Sequence, residues 1–336
     1  MRPTPQPPPI LRDRLIQLLE RMKSRRIVVI GDTERLSPEA PVPVVAVRET
    51  RSALGGAANV AANVAAIGAS CRLVGAVGDD NHAGAIRAEL AASRLEDRYL
   101  VPISGRPTTT KTRVLARSQQ VVRIDEEVDS SVEGQDQERL ISTALAALVD
   151  ADALVLEDYN KGTLTEALIA AAMSAAKRRG IPVVVDPKFR NFFSFGGATV
   201  FKPNRRELEA AMGATLDISG EDALLHALDK LAVDNLLLTL GSDGMVLVTK
   251  DQVITHIASL AREVFDVSGA GDTVTAWVAT ALAAGATMRE AAHLANYAAG
   301  LEVSKSGVAT VAPSEVLAVH EETHDALGRL RRGGVI

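Results

Sequence analysis

The segment "FDVSGAGDTVTAW" at 265–277 has a glycine-rich turn between two aspartates, directly before an apolar run that is typical of a helix. Gly269 and Gly271 can adopt positive φ and, with Ala270, direct backbone N–H groups into one concavity beside the positive end of the following helix. Such a concavity suits a phosphate group. Asp272 would lie in the first turn, where it could accept a proton from a hydroxyl that attacks phosphorus. Alternatively, Asp272 only caps the helix, and the local sequence does not decide between the two.

A second polar segment, "FKPNRRE" at 201–207, follows a predicted strand. Asn204 and Glu207 are three residues apart and therefore share one face of the helix that begins there. They could orient a hydrated Mg²⁺, which keeps several waters and bridges phosphates. As isolated residues they are better explained as a helix cap and a surface acid.

The segment "GGAANVAANVAAIG" begins at residue 55 and has the small side chains that let a helix pack close to a sheet. Gly55, Gly56 and Asn59 could also present amides and a carboxamide to sugar hydroxyls. Most isolated basic residues are simply solvated surface. The sequence nevertheless places several near predicted loops and near an irregular hairpin at 110–127, namely Lys111, Arg113, Arg123, Lys161, Lys188 and Arg190.

Composition narrows the possible functions. With 336 residues, 47% of them hydrophobic and 24% charged, the chain has the composition of a water-soluble globular protein. Its net charge of −5 argues against nucleic-acid and membrane partners, so an anionic ligand needs a local site. The single cysteine, Cys71, excludes an internal disulfide and fits a reducing compartment. The longest apolar run, at 274–286, is too short to span a bilayer, and we expect a cytoplasmic protein.

The elements that must position these residues follow a simple order. A proline-rich segment at 1–10 is expected to be a mobile tail, and from residue 11 predicted helices alternate with short apolar strands. Strands alternating with helices indicate an α/β fold with a mostly parallel, doubly wound sheet. Ligands of such sheets bind at the carboxyl ends of the strands. Polar clusters at predicted strand ends should therefore converge on one crevice, at 31–32, 157–160, 186–188, 202–204 and 241–243.

Taken together, these motifs resemble those of a known family. "DVSGAGD" resembles the C-terminal signature of the ribokinase-like (PfkB) carbohydrate kinases, and "GGAANVAANVAAIGA" with "VGAVGDD" resembles their N-terminal signature. The resemblance extends over residues 26–312. It implies a single kinase domain at 11–336, built as a three-layer α/β/α sandwich with a mostly parallel central sheet. It also implies a small β-sheet lid with strands at about 35–54 and 108–126, through which two subunits often pair as a homodimer.

Within the family, "RLSPEAPVPVVAV", "EDYNKG" and "KPNRRELEAAMG" look most like the D-glycero-D-manno-heptose 7-phosphate kinases. This implies transfer of the ATP γ-phosphoryl group to the C1 hydroxyl of the β-heptose 7-phosphate. The 1,7-bisphosphate product serves ADP-heptose and lipopolysaccharide core synthesis. Many relatives carry a nucleotidyltransferase domain after the kinase, and we expect the free-standing kinase form here.

The resemblance also implies roles for individual residues. Asp272 matches the general base, and Gly269, Ala270 and Gly271 match the anion hole. Residues expected at ATP are Lys202, Asn204, Arg205, Arg206, Glu207, Gly241, Ser242 and Gly244, with Asn204 and Glu207 also at Mg²⁺ through water. Residues expected at the sugar phosphate are Asp32, Gly55, Gly56, Asn59, Lys111, Arg113, Asp158, Lys161 and Lys188. A monovalent cation is a further cofactor to consider.

One segment departs from the family pattern. Relatives carry a second, sugar-binding aspartate and an aromatic-rich stretch after Gly-Asp, whereas only four residues separate Asp32 from Ser37 here. Either sugar binding differs in this chain, or the natural protein has a longer loop at this point, which the intact flanking motifs favour. Two other functions stay open: a kinase for ribose, fructose or another hexose, and a regulator that binds sugar phosphate without turnover. The retained Asp272 argues against the regulator.

Overall fold

A computed structural model describes residues 10–31, 33–38, 49–116, 119–218, 220–261 and 264–332. Its strands are β1 (Arg26–Gly31), β2 (Thr33–Pro38), β3 (Ala53–Gly56), β4 (Ser70–Val77), β5 (Leu100–Pro102), β6 (Thr110–Ala116), β7 (Gln119–Glu126), β8 (Ala153–Glu157), β9 (Val183–Asp186), β10 (Val200–Phe201), β11 (Asn235–Thr239), β12 (Met245–Thr249) and β13 (Ile254–Ile257). Its helices are α1 (Arg12–Met22), α2 (Ala57–Ile67), α3 (Asn81–Ala92), α4 (Gly134–Ala147), α5 (Glu166–Arg179), α6 (Arg205–Met212), α7 (Glu221–Leu231), α8 (Ala270–Ala283), α9 (Met288–Glu302) and α10 (Pro313–Arg332).

The central sheet has the strand order β13-β12-β11-β10-β9-β8-β1-β4-β5. Neighbouring strands from β11 to β5 are parallel, and β12 runs antiparallel to both of its neighbours. The predicted α/β class with a mostly parallel sheet is therefore confirmed. Because the strands from β11 to β5 run in one direction, their carboxyl ends lie along one edge.

Both faces of this sheet are covered, because successive side chains of a strand point in opposite directions. In β1, Ile27 and Val29 belong to a core formed with α1, α2, α3, α8, α9 and α10. Val28 and Ile30 belong to the opposite core, formed with α4, α5, α6 and α7. Two helical layers therefore enclose the sheet, which is the predicted three-layer arrangement.

A second, smaller sheet has the strand order β3-β2-β6-β7. Its two antiparallel pairs, β2 with β3 and β6 with β7, are joined by a parallel pairing of β2 with β6. β2 and β3 overlap the ends of the predicted lid segment 35–54, and β6 with β7 forms the hairpin expected at 110–127. We refer to these four strands as the lid sheet.

Some sequence predictions fall at or beyond the limits of the described residues. Asp32, most of the proline-rich tail and most of "SPEAPVPVV" lie outside the described ranges. The tail boundary is wrong by one residue, because Ile10 is buried and its carbonyl oxygen lies 2.9 Å from His320 Nε2. In the part of the chain that the structure describes, no helix has both the length and the apolar character to cross a bilayer.

Candidate active site

Three ionisable side chains meet at the carboxyl ends of β8, β9 and β10, and the alternation of the strands explains why. In β8, Ala153 and Val155 face the core that contains α8, so Glu157 points to the same side. Asp186 follows Val184 in β9 by the same rule, and Lys202 follows Val200 of β10. The three strands are adjacent and parallel, and Glu157 pairs in register with Asp186. Strand periodicity thus delivers two acids and one lysine to one point under α8.

Lys202 and Asp186 form a buried ion pair, with Nζ 2.7 Å from Oδ2 and the lysine side chain 4% exposed. Burial alone would lower the pKa of Lys202, but the charges of Asp186 and Glu157 outweigh it and raise that pKa. Glu157 is fully buried, and neither of its carboxyl oxygens has a hydrogen-bond partner among the described residues. Burial, followed by the charges of Asp186 and Asp272, raises the pKa of Glu157 well above its ordinary value. Burial and the neighbouring carboxylates therefore disfavour ionisation of Glu157.

Asp272 completes this cluster from the first turn of α8. Its carboxylate oxygens accept hydrogen bonds from Asn59 Nδ2 at 2.7 Å and from the Tyr159 hydroxyl at 2.9 Å. Its side chain does not cap the helix, because Gly269 is the N-cap residue and no side chain makes the cap bond. Burial, with a contribution from the charge of Asp186, raises the pKa of Asp272 to about 6, although both hydrogen bonds and Lys202 oppose this shift. A carboxylate with this pKa is ionised at neutral pH and basic enough to accept a proton.

Carboxyl oxygens of Glu157, Asp186 and Asp272 lie within 4.8 Å of one another. Carboxylates in this arrangement can bind a metal ion in principle. Here the ammonium group of Lys202 already neutralises Asp186, and both oxygens of Asp272 accept hydrogen bonds. Lys202 therefore compensates the charge of Asp186, while Asp272 keeps its own.

The turn before α8 has the geometry expected of an anion site. Gly269 has φ 98°, and a Cβ added there would lie 2.9 Å from Asn59 Nδ2, so a larger residue does not fit without strain. A Cβ added to Gly271 would approach Lys202 Nζ to 3.5 Å, so this turn lies directly over the buried lysine. The first amides of a helix have no carbonyl of their own helix to bind. Together with Lys202, these amides favour an anion at this point.

A cavity of about 430 Å³ lies against this turn. Its wall includes the nucleotide-side residues predicted from the sequence, Lys202, Asn204, Glu207, Gly241, Ser242 and Gly244, as well as Gly269, Ala270, Gly271 and Asp272. Gly244 has φ 90°, and a Cβ there would lie 2.1 Å from the carbonyl oxygen of Ile257. Only glycine permits this close approach of the turn at 241–244 to the end of β13. Of the strand ends predicted to converge, those at 157–160, 186–188, 202–204 and 241–243 contribute residues to this wall.

Asn204 and Glu207 form a capping box at the start of α6. Asn204 Oδ1 accepts from the backbone N–H of Glu207, and Glu207 Oε2 accepts from the backbone N–H of Asn204, each at 2.9 Å. Glu207 Oε1 contacts the Lys188 ammonium group. Carboxylate and amide oxygens are the ligands that Mg²⁺ prefers, so this pair fits the ion through its first water shell. The structural and the metal-binding interpretation are compatible, and the metal role stays a prediction.

A second cavity, of about 300 Å³, adjoins the first where Tyr159 and Lys188 line both. Lys111 and Lys161 lie near it and both form ion pairs with Glu127, each with N and O 2.6 Å apart. Burial opposes ionisation of Glu127, but the two lysines outweigh it and lower the pKa of Glu127. The residues that line this cavity include three basic side chains, Lys161, Lys188 and Arg190, and two acidic ones, Glu127 and Asp129.

In the lid sheet, Arg113 of β6 lies directly opposite Arg123 of β7. Arg113 Nη1 is buried and has no hydrogen-bond partner among the described residues. Burial, followed by the charge of Arg123, lowers the pKa of Arg113, and the charges of Asp125 and Asp266 raise it less. Asp125 also forms an ion pair with Arg123 at 2.9 Å. Like charges directly opposite each other in a sheet are unfavourable, and an anion between them would relieve the repulsion.

Some predicted residues lie elsewhere or have structural partners. Both oxygens of Asp158 accept hydrogen bonds, from the Asn160 amide at 2.7 Å and from Asn191 Nδ2 at 3.0 Å, which hold the loop after β8. Arg205 pairs with Glu209 on the surface of α6, and neither Arg205 nor Arg206 lines the first cavity. Gly55 and Gly56 are buried where β3 enters α2, next to Asn59.

Sequence reasoning missed three residues as members of the site: Glu157, Tyr159 and Asp186. All three lie in segments recognised as polar strand ends, so that position was the available signal. Nothing in the sequence separated them from their polar neighbours, because only the register of β8 against β9 and the placement of α8 bring their side chains together.

Comparison with known proteins agrees with this geometry. A model of the pfkB family of carbohydrate kinases matches residues 24–315. The chain belongs to this family. It is therefore an enzyme, an ATP-dependent carbohydrate kinase, as the sequence predicts.

Relatives and solved structures extend this result. Bifunctional protein HldE of Azorhizobium caulinodans is 45% identical over 297 residues, which cover 88% of this chain and 62% of that protein. Bifunctional protein HldE of Caulobacter vibrioides is 42% identical over 332 residues, covering 95% and 68%. This pfkB-family chain thus spans only part of the length of these relatives.

Two solved structures share the fold. Ribokinase from Arabidopsis thaliana, complexed with ribose and ATP, superposes with a TM-score of 0.72 at 22% identity, covering 89% of this chain and 99% of that one. Phosphofructokinase-2 from Escherichia coli, in complex with potassium, gives 0.73 at 17% identity with the same coverage. At these identities the likeness shows the fold alone, and it confirms the predicted ribokinase-like architecture.

Proposed function

We propose that this kinase transfers the ATP γ-phosphoryl group to the C1 hydroxyl of D-glycero-β-D-manno-heptose 7-phosphate. The phosphoryl-transfer step is supported by the position of Asp272. This buried carboxylate lies in the first turn of α8 and accepts hydrogen bonds from two fixed donors. The sugar is suggested by the motifs shared with heptose 7-phosphate kinases and by the HldE relatives at 42–45% identity. The 1,7-bisphosphate product would serve ADP-heptose synthesis.

Proton transfer is assigned to Asp272. The sugar hydroxyl loses its proton to this carboxylate while its oxygen forms a bond to the γ-phosphorus, and the bond from that phosphorus to the leaving ADP oxygen breaks. Asn59 and Tyr159 hold the carboxylate in one orientation. Their hydrogen bonds also keep Asp272 ionised at neutral pH in spite of its burial. The base is therefore both positioned and in the correct protonation state before the substrate arrives.

Stabilisation of the negative charge on the transferring phosphoryl group is assigned to the turn before α8 and to Lys202. Amides of Gly269, Ala270 and Gly271 would form the anion hole, and one such donor can contribute roughly 3 kcal/mol. Asn204 and Glu207 would hold Mg²⁺ through water, and the ion would neutralise phosphate charge. The turn at 241–244 would contact the nucleotide. The lid sheet would close over the sugar and exclude water that would otherwise hydrolyse ATP.

The 7-phosphate is assigned to Arg113 of the lid sheet and to basic side chains that line the second cavity. Arg113 has a buried guanidinium nitrogen without a partner and faces Arg123 across the lid sheet. Lys161 and Lys188 line the second cavity. A dianionic phosphate bound here would receive charge-assisted hydrogen bonds and reduce the repulsion between the two arginines. An unphosphorylated sugar offers no such compensation.

Further parts of the proposal concern assembly and conditions. A homodimer through the lid sheet is supported by the exposed apolar side chains of Val122 and Ile124 on β7. A cytoplasmic location is supported by the unpaired Cys71 thiol and by the expected use of ATP. A monovalent cation is suggested by the potassium complex of the structurally similar phosphofructokinase-2.

The test uses purified protein with MgATP and a panel of sugars: the heptose with and without its 7-phosphate, fructose, fructose 6-phosphate and ribose. ADP release gives the rate, and ³¹P NMR identifies phosphate on C1. We expect the heptose 7-phosphate to have the highest kcat/KM, and Asp272→Asn to abolish turnover while the exposed Asp251→Asn does not. Preference for another sugar would contradict the proposed substrate. ATP binding without phosphoryl transfer to any sugar would favour a regulator that binds sugar phosphate without turnover.

The phosphate assignment has its own control. Arg113→Ala should raise KM for the phosphorylated heptose roughly 10- to 100-fold, because a charge-assisted hydrogen bond is lost, and should change KM for the unphosphorylated sugar little. Arg139→Ala removes an exposed arginine on α4 and should change neither. Equal effects of Arg113→Ala on both sugars would exclude Arg113 from the phosphate site.

A further inference from the structure

Glu302, the last residue of α9, is a buried carboxyl that the proposed reaction does not use. It is 0% exposed, and no described residue makes a hydrogen bond of good geometry to its oxygens, although the Ala309 amide lies near them. Buried polar groups without a partner are rare and costly, so each one asks for an explanation.

The position of this carboxyl is informative. A Cβ added to Gly269 would lie 3.2 Å from Glu302 Oε1 and 2.9 Å from Asn59 Nδ2. Glu302 therefore lies on the side of Gly269 where Asn59 passes to reach Asp272. Val308, from the turn after α9, closes the same space. The carboxyl is thus packed directly behind the anion hole and beside the residue that orients the base.

The charged groups that face Glu302 are mostly acidic. Asp266 from the segment before α8 and Asp272 from α8 both disfavour its ionisation, whereas Lys305 from the turn after α9 favours it. Burial is the largest influence, the nearby Ala309 amide offsets part of it, and the net effect raises the pKa of Glu302 to about 8. At pH 7 this group is therefore mainly a neutral acid.

We propose that Glu302 is a positioning residue that must be neutral for phosphoryl transfer. A neutral acid fills the space behind Gly269 without opposing the positive end of α8. An ionised carboxylate at the same point would place a negative charge next to the amides that must bind the transferring phosphoryl group. It would also attract the Asn59 amide, which otherwise donates to Asp272. Ionisation of Glu302 therefore weakens the anion hole and loosens the base.

This inference rests on the proposed anion hole but not on the identity of the sugar. Its test is the ratio of kcat at pH 9 to kcat at pH 7. The ratio is measured with any sugar of the panel to which the enzyme transfers phosphate. With a pKa of about 8, wild type should lose about tenfold over this interval. Glu302→Gln and Glu302→Leu cannot ionise, and each should keep a ratio near one.

A matched control is Glu321→Gln, which removes an exposed glutamate of α10 that pairs with Arg12 of α1. Its ratio should equal that of wild type. A tenfold loss that persists in Glu302→Gln, or a wild type without any loss at pH 9, would overturn the proposal. If heptose 7-phosphate is not turned over but another sugar is, the proposed substrate is wrong and the proposal on Glu302 is unaffected.

Unfolding in urea gives a second readout that needs no turnover. The folded-state pKa of Glu302 lies above its unfolded value, so its contribution to stability is present at low pH and is lost as the pH rises through about 8. The urea midpoint of wild type should therefore fall relative to that of Glu302→Gln between pH 5 and pH 8. Above about pH 9 the difference between the two midpoints should stay constant. If the difference between the two midpoints is the same at every pH, Glu302 does not titrate as the proposal requires.

Discussion

Replacing Asp272 with asparagine should separate catalysis from stability, because the same burial that makes this carboxylate a base also makes it costly. Loss of a general base typically lowers kcat by roughly 10²- to 10⁴-fold. The effect on folding has the opposite sign. Because the folded-state pKa of about 6 lies above the ordinary value of 3.8, ionised Asp272 costs about 3 kcal/mol of folding free energy at pH 7.

Asparagine removes this cost but disturbs one hydrogen bond. The new amide can accept from the Tyr159 hydroxyl, whereas its nitrogen would face the donating Asn59 Nδ2, at a cost of about 1–2 kcal/mol. The variant should therefore be as stable as wild type at pH 7, or more stable by about 1–2 kcal/mol. At pH 5 the cost in wild type falls to about half because Asp272 becomes protonated, so the advantage of the variant should shrink by about 1 kcal/mol.

The assay combines two measurements on each protein: kcat from ADP release at pH 7, and the free energy of unfolding from urea titrations at pH 5 and pH 7. Asp251→Asn, in an exposed turn after β12, controls for the chemistry of the substitution. An Asp272→Asn protein with undiminished kcat would refute the role of base. A stability difference that does not change with pH would refute the buried, pKa-raised carboxylate.

Three further outcomes follow from the same geometry. Tyr159→Phe removes one donor to Asp272, so the acidic limb of the pH–rate profile should move to higher pH, and an unchanged limb would contradict the 2.9 Å hydrogen bond. Lys202→Met leaves Asp186 buried without its partner and should lower the free energy of unfolding by about 3–5 kcal/mol; a loss below 1 kcal/mol would show that the pair is not desolvated. Gly269→Ala forces a side chain into a φ of 98°, which should cost about 1–3 kcal/mol and lower kcat, as melting and ADP-release assays will check.

The sequence alone predicted the parts of this protein that depend on short segments. Alternating apolar strands and helices indicated the mostly parallel sheet, and the hairpin at 110–127 was recognised from its pattern. The glycine spacing of "DVSGAGD" predicted a turn at a helix start, because positive φ is a local property of glycine. Strand-end polarity located the crevice, since parallel strands share one edge.

Only the tertiary structure decided what each polar residue does there. Asp272 could equally have been a helix cap until the packing of α2 and the loop after β8 brought Asn59 and Tyr159 to its carboxylate. The ion pair of Lys202 with Asp186 depends on the register of neighbouring strands, and the buried position of Glu302 depends on how α9 ends against α8. The physical reason is that pKa and hydrogen bonding are set by neighbours distant in sequence. Residue spacing therefore predicted where chemistry occurs, and packing determined which side chains are charged.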